Sequence, residues 1–308
     1  MTRKHISIIF PAMYPKQINL IEVGPRDGFQ SESRIIPTDI KLEIIAGLAA
    51  AGISQIQVAS FVSPKRVPQM ADAEALIQKL PENDSVVYTG LALNPRGVER
   101  AQEAGLKAVE ISISASDSHS RKNAGMSRRE SLQQGRNMAR LAKQKGMHLI
   151  AGIQCAFGCV YDGSIPAGNV LDAVRMYCDE GIDRLSLADT TGMAAPLLVK
   201  ELVGKVKAEA PGIPLGLHLH DTRGLGLVNL MAGLESGIRC FDTAFGGLGG
   251  CPFVKGAAGN IATEDSLYLL ESLHIESGID RRKVAECSRK IAGFLQRRLP
   301  GKLYASGL

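Results

Sequence analysis

Two kinds of segment alternate along most of the chain. Eight short segments are apolar and rich in β-branched residues, and they cover 18–23, 56–61, 86–93, 108–114, 149–155, 185–190, 213–220 and 240–245. The stretches between them, such as 39–51 and 132–145, carry apolar residues at helical spacing. Short apolar runs bounded by turn residues predict buried strands, and the helical spacing predicts a helix after each strand.

Glycine marks five of the predicted junctions between a helix and the next strand. At these junctions a helix-like stretch ends in a glycine and an apolar segment follows almost at once; the glycines are Gly52, Gly105, Gly146, Gly181 and Gly237. Glycine readily takes the left-handed conformation that closes a helix. The repeated unit of strand and helix predicts an α/β fold, a (β/α)8 TIM barrel, with an open doubly wound sheet as the alternative.

Length and composition are consistent with one enzyme-sized domain. Single α/β barrels reach this length, and the chain shows no linker or shift of composition that would divide it. We therefore predict one domain over 1–308, with the barrel at about 18–275 and a small helical appendage at about 276–308. A content of 45% hydrophobic and 22% charged residues excludes disordered, collagenous and coiled-coil chains.

Charge and hydropathy exclude some partners. There are 36 Lys and Arg against 31 Asp and Glu, a net charge of +5 without long blocks of one sign, and only 5% of residues are aromatic. This pattern argues against a nucleic-acid partner. No run approaches 18 apolar residues, which argues against a membrane partner. Six cysteines without a C-x-x-C pair, and no recognisable secretion signal, predict reduced thiols and a cytoplasmic location.

Residues whose side chains could bind a metal or take part in a reaction follow the predicted strands. Arg26 and Asp27 lie in a glycine- and proline-bounded turn after the first strand, and His218 and His220 end the seventh. A spacing of two on a strand directs both imidazoles to one face, and imidazole with carboxylate suits a divalent metal. Strands seven, eight and one are neighbours in a closed barrel, so the three side chains can meet at its mouth. A solvated turn and structural histidines are the alternatives.

A glycine-rich segment follows the eighth strand. Four glycines in 246–250 precede Cys251, and this density of glycine indicates a loop that moves or is closely approached. Cys251 could act there as a proton donor, or it could be incidental to a flexible connector. Asn260 could offer a neutral oxygen to the same metal, or it could cap a helix.

Together these motifs resemble the 3-hydroxy-3-methylglutaryl-CoA (HMG-CoA) lyase family. The resemblance covers about 18–275 and rests on GPRDGFQ at 24–30, FVSPKRVPQM at 61–70, HLHDTRG at 218–224 and GGLGGCPFVKGAAGNIATED at 246–265. It implies a metal-dependent TIM-barrel lyase that cleaves HMG-CoA, an acyl-CoA partner, to acetyl-CoA and acetoacetate in leucine catabolism. It also implies a homodimer or a higher homo-oligomer.

The resemblance implies a metal site and three catalytic roles. Mg or Mn would be held by Asp27, His218, His220 and Asn260. Arg26 would stabilise the enolate of acetyl-CoA, because its charge lies where the new negative charge forms. Asp27 or a histidine such as His218 would take the hydroxyl proton, and Cys251 would protonate the enolate carbon.

The residues expected to bind substrate fall into two groups. Gln30, Gln57 and Arg223, together with Arg26, are candidates for the acyl group. The candidates for the CoA diphosphate are Arg121, Lys122 and Asn123, which follow the fourth strand. A solvated basic loop is the alternative for this second group.

Two positions depart from the family pattern. Gln57 stands where the family has glutamate, so the site is expected to have one negative charge fewer, and Gln57→Glu is expected to raise activity. Arg223 stands where the family has tyrosine, and it could bind a carboxylate or phosphate or pair with Asp221 or Asp189. Asp189 is also expected to support a metal-bound histidine.

These departures keep two other functions open. One is a lyase of the same mechanism for another short dicarboxylic 3-hydroxyacyl-CoA, such as citramalyl-CoA or methylmalyl-CoA. The other is a homologue that binds metal and CoA with little catalysis.

Overall fold

The computed structural model describes residues 14–250 and 258–306. Eight parallel strands form a closed barrel in the order of the sequence. They are β1 (Asn19–Glu22), β2 (Gln55–Ser60), β3 (Val87–Ala92), β4 (Ala108–Ser114), β5 (His148–Gln154), β6 (Arg184–Ala188), β7 (Leu215–His218) and β8 (Cys240–Thr243). Because β1 pairs with both β2 and β8, the barrel prediction is confirmed and the open sheet is excluded.

Helices connect the strands and cover the outside of the barrel. They are α1 (Thr38–Ala50), α2 (Ala73–Gln78), α3 (Pro95–Glu103), α4 (Asp117–Ala124), α5 (Arg128–Gln144), α6 (Ala167–Asp179), α7 (Pro196–Glu209), α8 (Gly226–Glu235), α9 (Thr263–Ser272) and α10 (Arg281–Leu295). Helix α5 begins four residues before the predicted start at 132. The reason is a capping box in which Ser127 and Glu130 each bond the other's backbone N–H. Among the described residues no helix is both long and apolar enough to cross a bilayer.

The five junction glycines all have positive φ, between 68° and 104°. At Gly52 the backbone also passes close to a neighbour, because a Cβ there would lie 2.5 Å from the carbonyl oxygen of Gly278. The predicted αβ junctions are therefore confirmed, and each closes its helix in the left-handed conformation.

A buried glutamate joins the first and last strands behind the catalytic end. Glu22 is fully buried and accepts N–H groups of Gly24 and Phe245 and the hydroxyl of Thr263, at 2.8–3.1 Å. Burial raises the pKa of Glu22 to about 8, although these hydrogen bonds oppose the shift. The network fixes the turn that follows β1 against the segments that follow β8.

The C-terminal segment packs against this end of the barrel. Helix α10 lies on α1, and the Asp265 carboxylate accepts the backbone N–H groups of Lys302 and Leu303 at 2.8–3.2 Å. Arg297, just after α10, pairs with the buried Glu32 and reaches the edge of the central cavity. The predicted appendage thus contributes a side chain to the cavity wall.

Candidate active site

A cavity of about 740 Å³ opens at the carboxyl end of the strands. Residues from every strand or from the segment that follows it line the cavity, and the chemically active ones come from opposite ends of the sequence. Arg26 and Asp27 follow β1, while His218 and His220 belong to β7 and the residues just after it. This is the end of a TIM barrel at which active sites are found.

Three of the predicted metal ligands converge on one point of this cavity. One ligand atom from each of Asp27, His218 and His220 lies within 4.8 Å of the others. The Nε2 atoms of the two histidines are only 3.1 Å apart. Two imidazoles and a carboxylate at this spacing suit a divalent cation of the first transition row or magnesium.

Asn260 completes the set. It lies beside His220 in an isolated β-bridge, and its amide nitrogen donates to Asp27 Oδ2 at 2.7 Å and to the carbonyl of Leu248 at 3.0 Å. Its Oδ1 is buried and has no hydrogen-bond partner among the described residues. An unpartnered buried oxygen beside Asp27 and His220 fits a role as a neutral metal ligand.

Asp242 orients His218. Its Oδ2 lies 3.1 Å from His218 Nδ1, and the two residues are register partners on β7 and β8. The expectation that Asp189 would do this is not what the structure shows. On β6 the register partner of His218 is Ala188, and the Asp189 carboxylate accepts the backbone N–H groups of Met193 and Ala194 instead.

The charges around the cluster prepare its ligands. Burial of the Asp27 carboxyl alone would raise its pKa, but Arg26, His218 and His220 lower it to about 2. Burial and the neighbouring His218 lower the pKa of His220 to about 3. Burial opposes charge on His218 as well, but Asp242 raises its pKa above the ordinary value. At neutral pH Asp27 is therefore ionised and His220 is neutral, the forms that bind a cation.

Arg26 is held in place from two sides. The side chain is buried, and its Nη1 donates to Asp27 while its Nε donates to Gln57 Oε1. The Gln57 amide in turn donates to Glu110 Oε2 at 2.7 Å. The carboxyl group that position 57 lacks is therefore present next to Gln57, on Glu110 of β4, where burial and the nearby Asp242 raise the pKa of Glu110.

Glycine at position 249 lets the backbone approach the cluster. Gly249 has a φ of 103°, and a Cβ there would lie 2.4 Å from Asn260 Nδ2 and 3.0 Å from Asp27 Oδ2. Gly249 and Gly250 both line the cavity. Cys251, the next residue, lies outside the described residues, so its predicted role stays a prediction.

The structure separates the predicted substrate residues into two sets. Gln30, which accepts from Ser60, and Asn123, which donates to Gln154, line the cavity together with Arg26.

The other four candidates do not line the cavity, and Gln57 is buried between Arg26 and Glu110. Arg121 is exposed and pairs with Asp117, while the Lys122 ammonium lies 3.4 Å from the centre of the Tyr161 ring. Arg223 donates to the carbonyl oxygens of Thr191 and Gly192, at 2.7 Å each. Their predicted contacts with substrate have no support from these positions.

Sequence reasoning missed several cavity residues. Glu110 and Ser112 on β4 and Ser186 on β6 all face the cavity, and Arg66 and Arg297 lie at its edge. The alternation in AVEISIS carried a signal, because Glu110 and Ser112 share one face of their strand. Nothing in the sequence indicated that the face of β4 carrying Glu110 points into the barrel.

Known proteins resemble this chain over nearly all its length. Residues 17–291 match the sequence model of the HMGL-like family. A 3-hydroxy-3-isohexenylglutaryl-CoA/hydroxymethylglutaryl-CoA lyase of Pseudomonas aeruginosa is 39% identical over 91% of this chain and 94% of its own. The mitochondrial hydroxymethylglutaryl-CoA lyase of Mus musculus is 38% identical over 94% of this chain and 89% of its own. The structure of an HMG-CoA lyase from Acinetobacter baumannii with coenzyme A and 3-methylmalate is 37% identical, covers 97% of each chain and superposes with a TM-score of 0.91.

Proposed function

The chain belongs to the HMGL-like family, and from this premise we propose that it cleaves HMG-CoA to acetyl-CoA and acetoacetate with Mg or Mn. The observation that carries the proposal is the convergence of Asp27, His218, His220 and Asn260 beside the buried Arg26 in one cavity. The reaction breaks the bond between C2 and C3 of the acyl group. It therefore needs a base for the C3 hydroxyl, a cation for the enolate oxygen and an acid for the enolate carbon.

The four converging side chains would hold the divalent ion. When bound, the ion supplies a Lewis acid that makes the C3 hydroxyl easier to deprotonate. The proton passes to a group of this cluster, Asp27 or His218. The Asp242 carboxylate bonds His218 through Nδ1, and Nε2 is the nitrogen that lies beside His220 and would hold the ion. His218 then has no free ring nitrogen, which favours the Asp27 carboxylate as the acceptor.

Arg26 provides the cation for the enolate. Its guanidinium is buried and bonded to Asp27 and Gln57, so it is in position before the carbon–carbon bond breaks. A charge that is already oriented stabilises a developing anion with little further reorganisation. Cys251 would then protonate the enolate carbon; the support is the sequence motif and the position of Gly250 in the cavity wall.

The acyl-CoA would enter along the wall that carries Asn123. The Acinetobacter baumannii relative was solved with coenzyme A, which supports a CoA thioester as the substrate class. Asn123 is the one cavity-lining residue among the three predicted for the diphosphate, and the exposed Arg66 offers a further cation at the edge. Its cysteine usage favours a cytoplasmic location, and its resemblance to the HMG-CoA lyase family favours a homo-oligomer.

The position of Glu110 favours HMG-CoA over the alternative substrates. Citramalyl-CoA and methylmalyl-CoA are alternatives because Gln57 and Arg223 depart from the family pattern. At the first of these positions, Glu110 places a carboxyl group in hydrogen-bond contact with the Gln57 amide. The base and cation groups of the cavity, together with Cys251 in the sequence, also argue against a homologue that binds without catalysis.

A substrate panel tests the proposal. The purified protein is supplied with Mg or Mn, or with chelator, and acetyl-CoA release is measured from HMG-CoA, citramalyl-CoA and methylmalyl-CoA. We expect release that depends on metal and is fastest from HMG-CoA. Faster release from either other thioester would move the activity to that substrate, and no release from any of them would refute the lyase.

A further inference from the structure

The barrel interior beside the cluster is open where most barrels are filled. Ser112 on β4, Gly152 on β5 and Ser186 on β6 are successive register partners, so they form one row across three neighbouring strands. Inner rows of TIM barrels are usually filled by bulky branched side chains. This row carries two hydroxymethyl groups and a hydrogen, and all three residues line the cavity. The small side chains leave room at this wall of the cavity, which we call the recess and define by Glu110, Ser112, Gly152 and Ser186.

The recess contains polar atoms without partners. Ser112 and Ser186 are only 8% and 3% exposed, and both line the cavity. Neither hydroxyl has a hydrogen-bond partner among the described residues, and both hydroxyls are open to the cavity rather than fully enclosed. Glu110 uses Oε2 to hold Gln57, while its Oε1 lies 2.9 Å from the position of a Cβ on Gly152 and has no partner there either. A ligand that covers this wall would remove these three groups from water, so a polar ligand group that bonds them is favoured over an apolar one.

The charges decide which polar group fits. A ligand carboxylate would lie beside the Glu110 carboxyl, whose pKa burial and the nearby Asp242 already raise, so a further negative charge is disfavoured there. An alkyl chain would cover a carboxyl group and two hydroxyls without satisfying them. A neutral hydroxyl can donate to Glu110 Oε1 and accept from a serine. The recess also adjoins the reaction centre, because Glu110 bonds Gln57 and Gln57 bonds Arg26.

We propose that this enzyme prefers 3-hydroxyglutaryl-type CoA thioesters whose C3 substituent is a short hydroxyalkyl group, and that the recess binds this group. The inference rests on the proposed lyase function and deepens it by naming the substrate class. The methyl group of HMG-CoA would enter the recess without filling it or bonding its polar groups. The Pseudomonas aeruginosa relative is named for a larger, apolar isohexenyl group at this carbon, which makes an apolar chain the direct competitor to test.

Three thioesters that differ only at C3 test the preference. They carry methyl, 2-hydroxyethyl or n-propyl, and the last two have nearly the same size. We expect kcat/KM for hydroxyethyl to exceed that for propyl by about tenfold, because the propyl group would leave polar groups of the recess without a hydrogen-bond partner. Equal values, or faster cleavage of the propyl compound, would overturn the proposal.

Substitutions in the recess locate the effect. Ser112→Val fills the recess and removes a hydroxyl, whereas Ser112→Ala removes the hydroxyl and keeps the space. We expect the ratio of hydroxyethyl to propyl cleavage to fall to about one in the first variant and to an intermediate value in the second. Ser266→Ala is the matched control, since Ser266 is a buried serine of α9 outside the cavity whose hydroxyl also lacks a partner. A wild-type ratio in Ser112→Val would place the discrimination elsewhere and refute the recess.

A binding measurement separates this inference from the lyase itself. The 3-deoxy analogues of the same thioesters cannot be cleaved, because they lack the hydroxyl that starts the reaction. Calorimetry with the Mn-loaded protein should rank the hydroxyethyl analogue about tenfold above the propyl analogue. If no thioester is cleaved, the proposed lyase function is refuted, but the ranking of the affinities still tests whether the recess binds a hydroxyalkyl group. An equal or inverted ranking refutes the recess whatever the activity.

Discussion

At the scale of single residues, Arg26 is the side chain on which the account depends most. It is buried beside the metal cluster, and its two hydrogen-bond partners fix its direction. Because its charge acts on an anion that exists only after bond cleavage begins, it should contribute to turnover more than to binding.

Replacing Arg26 separates these two contributions. We expect Arg26→Gln to lower kcat by roughly a thousandfold with a change in KM of less than about threefold, because the lost charge acts in the transition state. Steady-state kinetics on HMG-CoA measure both values. Arg26→Lys serves as the control, since it keeps the charge and should recover part of kcat. A loss in kcat below tenfold would rule out the proposed role.

Glu110 reverses the expectation for Gln57→Glu. A glutamate at 57 would face the Glu110 carboxylate in place of the present 2.7 Å hydrogen bond, and two such carboxylates cannot both ionise at low cost. We therefore expect Gln57→Glu to lower kcat/KM on HMG-CoA by about tenfold. The double variant Gln57→Glu, Glu110→Gln exchanges the two groups and should recover most of the loss. Higher activity in Gln57→Glu alone would show that the wild-type site lacks a negative charge at position 57.

Gly249 offers a structural test of the cluster. A methyl group there would press on Asn260 and Asp27, so Gly249→Ala should weaken Mn binding by about tenfold or more. Calorimetry with Mn measures this directly. Gly224→Ala is the control, because Gly224 shares a positive φ, of 72°, but has no atom within 4 Å of an added Cβ. Equal affinities in the two variants would mean that the close approach at Gly249 is not needed.

At the scale of elements, local patterns were sufficient for the barrel but not for its inner surface. The eight strands and five glycine junctions follow from hydropathy and turn chemistry, which act within a few residues. The pairs His218–Asp242 and Gln57–Glu110 depend on the register between strands that are separated by whole helices. For that reason the sequence predicts Asp189, at the end of a strand, as the partner of a metal-binding histidine, whereas the structure has Asp242 in that position.

The Glu22 network gives a prediction about stability. Its pKa is raised from 4.5 to about 8 in the folded protein, so the folded state binds this proton more tightly than the unfolded state. The contribution of Glu22 is then fully present below about pH 4.5 and is lost as the pH rises to about 8. Urea unfolding should show that wild type loses stability relative to Glu22→Gln over this range. A constant difference between the two proteins would contradict the shift.

At the scale of the whole molecule, closure of the barrel creates the site. Residues near 26 and near 260 meet because β1 lies beside β8, and this much followed from the predicted fold. The surface candidates Arg121, Lys122 and Arg223 could not be assigned in the same way. Exposed cations find partners among nearby groups, as Arg121 does with Asp117, and sequence does not distinguish these from substrate.

The most direct test of the account is a titration of the metal-free protein with Mn. Calorimetry measures Mn binding, and acetyl-CoA release from HMG-CoA is measured in parallel at each Mn concentration. We predict one site per chain, turnover that rises in proportion to its occupancy, and loss of both in His220→Ala. Turnover that is unchanged without metal, or that survives in His220→Ala when Mn no longer binds, would contradict the claim that cleavage takes place at the cluster of Asp27, His218, His220 and Asn260.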